Sequence, residues 1–370
     1  MQLSLVLDSS DVQVVDDVAL LDTMIADLAA ADPIWQPTNY WASYFHGTIQ
    51  ELRLGLRDFR RSRAGNFPSL GATDPLPRVV SEVRVEDARL GEVVGGIVSQ
   101  LNDQVVAGRQ LFEAGPTLLD VYEGGYERCR RAAAGHAGVR SIDELSVSRA
   151  GNPFGFEVDG RFLTPSALSY YLRYAYAAAR VDLAAIDTVV ELGSGAGRQA
   201  EILSVLHPHL AIVQLDLAPQ LYIAERYLSA AIPQHVIPYR ESREHERLVP
   251  APGRVAFGGN FRIGDLADCG RTLFWNAASF GEMEPAAVNE YAKRVSEYAD
   301  FLYLHQCFTG KERGRPGEGG VLRPVRMPHY EGYFAGYERI DMEPAHTGLS
   351  WSVEGPAPYH DAFWTRRNAD

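Results

Sequence analysis

A short glycine-rich segment is the part of the sequence with the clearest chemical use. Gly193, Gly195 and Gly197 alternate with other residues directly after a β-branched run that ends at Leu192. A strand that turns sharply into a helix while its backbone approaches a ligand needs residues without Cβ, and alternating glycines meet that need. The spacing predicts a strand–turn–helix site for a nucleotide-like ligand, with Ser194 on the same turn.

Two carboxylates narrow the chemistry of this ligand. Glu191 stands two residues before the first glycine, where it can accept a hydrogen bond from an amine but would repel a pyrophosphate. The dinucleotide pattern G-x-G-x-x-G also fails, because Arg198 stands where its last glycine would fall. Asp216 ends the next β-branched run, where such folds hold the ribose hydroxyls. These residues predict an adenosyl ligand without phosphate; a purely structural glycine turn beside unrelated surface acids is the alternative.

The second half of the chain alternates short β-branched runs with helical stretches. The runs cover 188–192, 211–216, 254–257, 272–276 and 301–305, and the helical stretches between them cover 197–206, 219–231 and 284–299. This alternation predicts an α/β fold with a mostly parallel sheet that helices cover on both faces. Ligands of such sheets bind beyond the carboxyl ends of the strands.

The first 150 residues are predicted to form an added α-helical N-terminal domain, and residues 151–370 the α/β domain. Apolar residues recur at helical spacing over 18–28 and again after Thr38, a candidate N-cap. Two further helical stretches are predicted over 79–113 and 117–134, with glycine pairs at 95–96 and 124–125 as candidate breaks. We expect this domain to cap the acceptor pocket or to form a homodimer.

Composition excludes several classes of protein. The 370 residues include 35 Lys and Arg against 48 Asp and Glu, and this net charge of −13 disfavours a nucleic-acid partner. No apolar run approaches the ~18–20 residues that a membrane span needs, and the N-terminus lacks a basic signal region, so we expect a cytoplasmic location. The three cysteines are far apart and no His or carboxylate spacing indicates a metal, so neither a disulfide framework nor a metal site is predicted.

Several segments resemble one family. They are Gly151-Asn-Pro153 with Leu163-Thr-Pro165, Glu191–Arg198, Tyr222–Leu228, Asn276–Met283 and, upstream, Tyr40-Trp41 with Leu56–Arg60. Together they are similar to a family of sugar O-methyltransferases within the Rossmann-like enzymes that use S-adenosylmethionine, over all but about the last forty residues. The resemblance implies that cofactor, S-adenosylhomocysteine as its product, and a hydroxyl acceptor on a sugar moiety or specialised metabolite. Methylation of nitrogen or carbon, and a non-catalytic binding role, are the alternatives.

Transfer to a hydroxyl needs a group that removes its proton, at the carboxyl ends of the strands. His305 ends the fifth run and is the predicted base; a hydrogen-bonded histidine at a strand end is its alternative. Glu282 is predicted to orient the acceptor or to act as base. Its alternative is an acid stabilised by the N-terminus of the following helix.

Five more residues complete the predicted cofactor site. Asn276 and Ser279 are expected to hydrogen-bond the amino-acid part of the cofactor or the acceptor, with simple capping as their alternative. Leu217, next to Asp216, is placed in the same group. Tyr170 and Tyr174, one turn apart on a helix, are expected to form an aromatic wall over the cofactor, with core packing as the competing role.

Overall fold

The computed structural model describes residues 2–9, 12–62, 65–75, 118–345 and 359–367. The helix predicted over 79–113, with its glycine pair, lies outside these residues. In the described ranges, no helix is both long and apolar enough to cross a bilayer.

Eleven strands and nine α-helices make up the described chain. The strands are β1 (Leu3–Val6), β2 (Gly155–Val158), β3 (Arg161–Leu163), β4 (Thr188–Leu192), β5 (Ala211–Asp216), β6 (Val236–Ile237), β7 (Val255–Gly259), β8 (Thr272–Ala277), β9 (Phe301–Gln306), β10 (Tyr337–Pro344) and β11 (His360–Arg366). The helices are α1 (Val18–Ala30), α2 (Asn39–Leu54), α3 (Leu118–Ala133), α4 (Pro165–Ala178), α5 (Arg198–Leu206), α6 (Ala218–Ala231), α7 (Tyr239–Ser242), α8 (Pro285–Tyr298) and α9 (Met327–Tyr333).

The large sheet has eight strands in the order β10-β11-β9-β8-β4-β5-β7-β6. The six neighbouring strands β9, β8, β4, β5, β7 and β6 are parallel to one another, and β11 runs antiparallel to both β9 and β10. The predicted α/β class is therefore confirmed, because all five predicted strands are present and α-helices connect all of them except β7 and β8, which a 3-10 helix joins. The chain winds outward in both directions from β4, so a crevice opens at the carboxyl ends of β4 and β8, where such sheets bind ligands.

The N-terminal region combines predicted helices with an unpredicted strand. Helices α1 and α2 lie where the apolar spacing places them, and α3 continues through Gly124 and Gly125 without a break. Strand β1 pairs with β2, which in turn pairs with β3, so a small antiparallel sheet joins residues on both sides of position 150. Helix α1 packs on α6 of the α/β portion. The N-terminal region is thus built onto the large sheet at several places.

Candidate functional site

The glycine turn between β4 and α5 has the backbone that the sequence predicts. Gly193, Gly195 and Gly197 have φ values of +81°, +55° and +74°, a region that side chains disfavour. A Cβ on Gly193 would lie 2.3 Å from the Cβ and Oγ of Ser279, and one on Gly197 would lie 2.8 Å from Leu228. The turn accommodates no side chain at these two positions, and Gly197 packs on α6 rather than facing the crevice.

Two buried carboxylates stand beside this turn. Asp216 accepts hydrogen bonds from the backbone N–H groups of Gly195 at 2.8 Å and Leu217 at 2.7 Å. Glu191 accepts one at 2.7 Å from the side chain of Gln214. Burial raises the pKa of Glu191 to about 8 and that of Asp216 to about 7. Because these partners are neutral N–H groups, the pair suits a ligand that brings donors and positive charge.

A cavity of about 520 Å³ opens above the turn. Its wall contains Glu191, Gly193, Ser194, Gly195 and Asp216 on one side, and Tyr40, Trp41, Tyr170, Arg173, Ser279, Glu282, His305, Lys311 and Tyr359 on the others. A volume of this size is in the range of small-molecule sites. The cavity brings most of the predicted cofactor residues together with both predicted catalytic residues.

A narrow slot leaves this cavity at Asp216. Its wall is mainly apolar and includes Trp35, Leu217, Met283 and Tyr291. Leu217 therefore lines the slot rather than the main cavity, next to Asp216 as the sequence places it. A flat apolar ring attached to a ribose at Asp216 would meet this slot.

His305 is held by an acid that sequence reasoning missed. Its Nδ1 lies 2.8 Å from Oδ1 of Asp361, which also accepts the hydroxyl of Tyr303 at 2.6 Å, and its ring stacks on Tyr359. Burial opposes ionisation of Asp361, but the bonds from His305 and Tyr303 outweigh it and lower its pKa. An ionised carboxylate only accepts, so Nδ1 carries the proton and Nε2 keeps its lone pair.

The protonation state of His305 suits a base. The residue is 7% exposed and lines the cavity. Burial and the charge of Arg173 lower its pKa, and Asp361 offsets only part of this effect. The imidazole is therefore neutral at neutral pH and ready to accept a proton at Nε2.

The partnership arises from strand register. His305 and Asp361 are directly opposite in the antiparallel pairing of β9 with β11. Opposed residues of such a pair point to the same face with their Cβ atoms about 5 Å apart, which brings the two side chains within hydrogen-bond distance. The positions are far apart in sequence, so no local motif reveals them.

Glu282 lies on the cavity wall with both oxygens occupied. Lys311 Nζ lies 2.5 Å from Oε1, and the indole N–H of Trp41 donates to Oε2 at 3.0 Å. The ammonium of Lys311 also lies 4.9 Å from the ring centroid of Tyr40, and Glu282 raises its pKa although burial lowers it. Burial raises the pKa of Glu282, although Lys311 and the hydrogen bond from Trp41 lower it in part. Because Lys311 and Trp41 already hold its two oxygens in place, the arrangement favours orientation among its two predicted roles.

Asn276 has the capping role that the sequence left open as its alternative. It is fully buried, donates to the carbonyl of Leu192 and to Ser279 Oγ, and accepts from Gln306 and from the backbone N–H of Phe280. With its amide fully partnered, Asn276 does not reach the cavity. It braces the glycine turn instead, while Ser279 lines the cavity.

The two predicted tyrosines also separate. Tyr170 lines the cavity, and its hydroxyl lies 3.4 Å from the carbonyl of Gly71. Tyr174 is completely buried, and its hydroxyl bonds to the backbone N–H of Arg140 and to His207. The core-packing role applies to Tyr174, because its phenol turns under the helix towards the end of α5.

Residues 65–75 form a roof over the glycine turn. Leu70 and Gly71 line the cavity, and the Leu70 carbonyl lies 3.1 Å from where a Cβ of Gly195 would be. Asp74 holds the roof down, since one of its oxygens accepts from both Arg60 and Arg198 at 2.8 Å. All three of these charged side chains are at least 98% buried. Arg198, the residue that breaks the dinucleotide pattern, is thus a roof anchor.

Sequence reasoning missed three charged residues of the site: Arg173 and Lys311 line the cavity, and Asp361 holds His305 from behind. Arg173 comes three residues after Tyr170 on α4, and this helical spacing is a signal that sequence reasoning had available. Asp361 lies in the run His360–Thr365, which does not alternate polar with apolar residues, so the sequence indicates neither the strand nor its partner. Lys311 lies in a loop and carries no pattern. In the described chain, no group of three or more His, Cys, Asp or Glu is placed to hold a metal.

Comparison with known proteins adds likeness to solved structures. No protein-family model and no curated protein matches the sequence. An O-methyltransferase (NcsB1) from neocarzinostatin biosynthesis, solved with S-adenosyl-L-homocysteine and 1,4-dihydroxy-2-naphthoic acid, is 18% identical with a TM-score of 0.35, over 54% of this chain and 56% of that chain. The mitomycin 7-O-methyltransferase MmcR is 10% identical with a TM-score of 0.33, over 53% and 57%. The matched parts cover a little over half of those two chains.

Proposed function

We propose that the chain is an O-methyltransferase that uses S-adenosylmethionine and a small-molecule acceptor. One observation carries the proposal: a single cavity joins the glycine turn and Asp216 to the histidine–aspartate pair His305–Asp361. The first group suits an adenosyl ligand, and the second suits removal of a proton from an alcohol. The sequence resemblance supports a sugar moiety or specialised metabolite as the acceptor.

The residues beside the glycine turn fit the cofactor. Asp216 keeps free lone pairs for two ribose hydroxyls, because each of its oxygens accepts only one described backbone hydrogen bond. Glu191 would accept the ammonium group of the methionine part. The apolar slot at Leu217 would receive the adenine, and the missing Cβ atoms of the turn let the ligand lie against the backbone.

The catalytic work assigned to this chain is proton removal and orientation. Bound S-adenosylmethionine supplies a methyl group that is already activated by its sulfonium. His305 takes the hydroxyl proton of the acceptor at Nε2, and Asp361 stabilises the imidazolium that forms. Glu282, fixed by Lys311 and Trp41, orients the acceptor on the opposite wall.

Calorimetric titration with S-adenosylhomocysteine tests the cofactor, with NADH as the control ligand. We expect S-adenosylhomocysteine to bind and NADH not to bind. Binding of NADH would overturn the proposal, and binding of neither would show that the glycine turn is structural.

A further inference from the structure

Arg173 is a charged cavity residue that the proposed reaction does not use. It lies on α4, lines the cavity, and has its guanidinium carbon 5.0 Å from the ring centroid of Tyr170. Its guanidinium forms no ion pair with an acid among the described residues. A partly buried guanidinium without an acid beside it can bind an anionic group of a ligand.

Arg173 lines the same cavity as Glu191 and His305. It is close enough to lower the pKa of Glu191, although burial raises that pKa overall, and it also lowers the pKa of His305. Glu191 lies one residue before the end of β4, and His305 one residue before the end of β9. The cavity therefore holds a carboxylate and a guanidinium that face the same space without pairing with each other.

Other cations around the cavity already have partners in the described structure. Lys311 is paired with Glu282, and Arg198 with Asp74. A ligand carboxylate that enters the cavity thus meets Arg173 as the unpaired cation of the described wall.

A cavity that holds a carboxylate and a separate guanidinium suits a ligand with both a positive and a negative group, a zwitterion. An isolated cation here would repel a ligand whose other groups are positive, unless that ligand also carries an anion to meet it. We propose that Arg173 binds the α-carboxylate of an amino-acid group whose ammonium lies at Glu191. The inference rests on the proposed function and extends it: the site selects the intact amino-acid end of the cofactor.

Calorimetry with three ligands tests this selection: S-adenosylhomocysteine, its decarboxylated analogue and methylthioadenosine, which lacks the amino-acid end. In Arg173→Met we expect affinity for S-adenosylhomocysteine to fall by about 10- to 100-fold, as for loss of a charged hydrogen-bonded pair. Affinity for the decarboxylated analogue should stay equal or rise, because the variant removes a repelling charge. Affinity for methylthioadenosine should not change.

Two variants serve as controls. Arg173→Lys keeps the charge without the planar fork and should recover part of the affinity. Arg180→Met removes an arginine just beyond the same helix, which stacks on Tyr176 and pairs with Asp341 away from the cavity, and should leave all three affinities unchanged.

The outcomes separate this inference from the proposed function. If wild-type protein binds none of the three ligands, the cofactor assignment itself fails. If wild-type protein binds S-adenosylhomocysteine and Arg173→Met binds it equally well, only the carboxylate site is overturned, and Arg173 faces the acceptor instead.

Discussion

The two halves of the cavity are built in different ways. The half at β4 and β5 comes from one stretch of chain, residues 191–216, in which the glycine turn and both carboxylates occur in order. The half at β9 is assembled from distant parts of the chain, where His305 meets Asp361 across a strand pair and Glu282 meets Trp41 and Lys311. The first half resembles a module that sequence motifs can describe; the second exists only after folding.

If the local half alone binds the cofactor, its turn should be the most sensitive point. Gly193→Ala places a Cβ 2.3 Å from Ser279 at a φ of +81°, so we expect binding of S-adenosylhomocysteine to fall more than about 100-fold, measured by calorimetry. Gly124→Ala is the matched control, because a Cβ there meets nothing within 4 Å. It lies within α3 and should leave binding unchanged while it stabilises the fold by about 0.5–1 kcal/mol. Normal binding in Gly193→Ala would show that the turn does not contact the ligand.

The distant half should affect turnover without affecting cofactor affinity. We expect His305→Ala and Asp361→Asn each to lower kcat on the acceptor by about 10²- to 10⁴-fold, because one removes the base and the other the group that fixes its tautomer. Affinity for S-adenosylhomocysteine should stay within about twofold, a free-energy change well below 1 kcal/mol. A loss of cofactor affinity as large as the loss of turnover would show that His305 and Asp361 also contribute to cofactor binding. Unchanged kcat in His305→Ala would favour methylation of nitrogen or carbon.

The roof, residues 65–75, belongs to the N-terminal region and covers the glycine turn, so its anchor Asp74 can be compared with an exposed ion pair. Asp74→Asn leaves the guanidinium groups of Arg60 and Arg198 buried without their acid, so we expect the free energy of unfolding to fall by about 3–5 kcal/mol in urea titrations. At temperatures where the variant is folded, cofactor affinity should also fall, because Leu70 and Gly71 line the cavity. Asp22→Asn, at an exposed pair with Arg53, is the control and should change stability by less than about 1 kcal/mol. Unchanged cofactor affinity would reduce Asp74 to a purely structural residue.

The smallest expected effect is the pH dependence of cofactor binding. The pKa of Glu191 is about 8 in the free protein because of burial, and an ammonium ligand binds its ionised form. Affinity for S-adenosylhomocysteine should therefore weaken as pH falls below about 8, by at most about tenfold per pH unit. Glu191→Gln should bind more weakly and lose the part of this dependence that Glu191 supplies. If the affinity of wild-type protein does not change from pH 6 to 8, the ammonium of the ligand does not bind Glu191.

Sequence alone was sufficient for the elements whose apolar pattern is local. The strands at 188–192 and 211–216 and the helix that follows each of them have the predicted bounds to within a residue or two, because β-branched runs and helical spacing are properties of neighbouring residues. The antiparallel strands β1–β3, β10 and β11 were missed. Strands β1–β3 are only three or four residues long, and β11 shows no alternation of polar and apolar residues. Strands β1 and β11 also depend on partners far along the chain.

What the sequence determined by itself is the glycine turn, its two acids and the parallel sheet that carries them, since these follow from backbone requirements within a few residues. What only the tertiary structure decided is which polar residues share the cavity. It paired His305 with Asp361, placed Tyr174 and Asn276 in the core, and placed Arg173 in the same cavity as Glu191. The physical reason is that side-chain partnership depends on strand register and helix rotation, and a shift of one residue in either would send each side chain to another face.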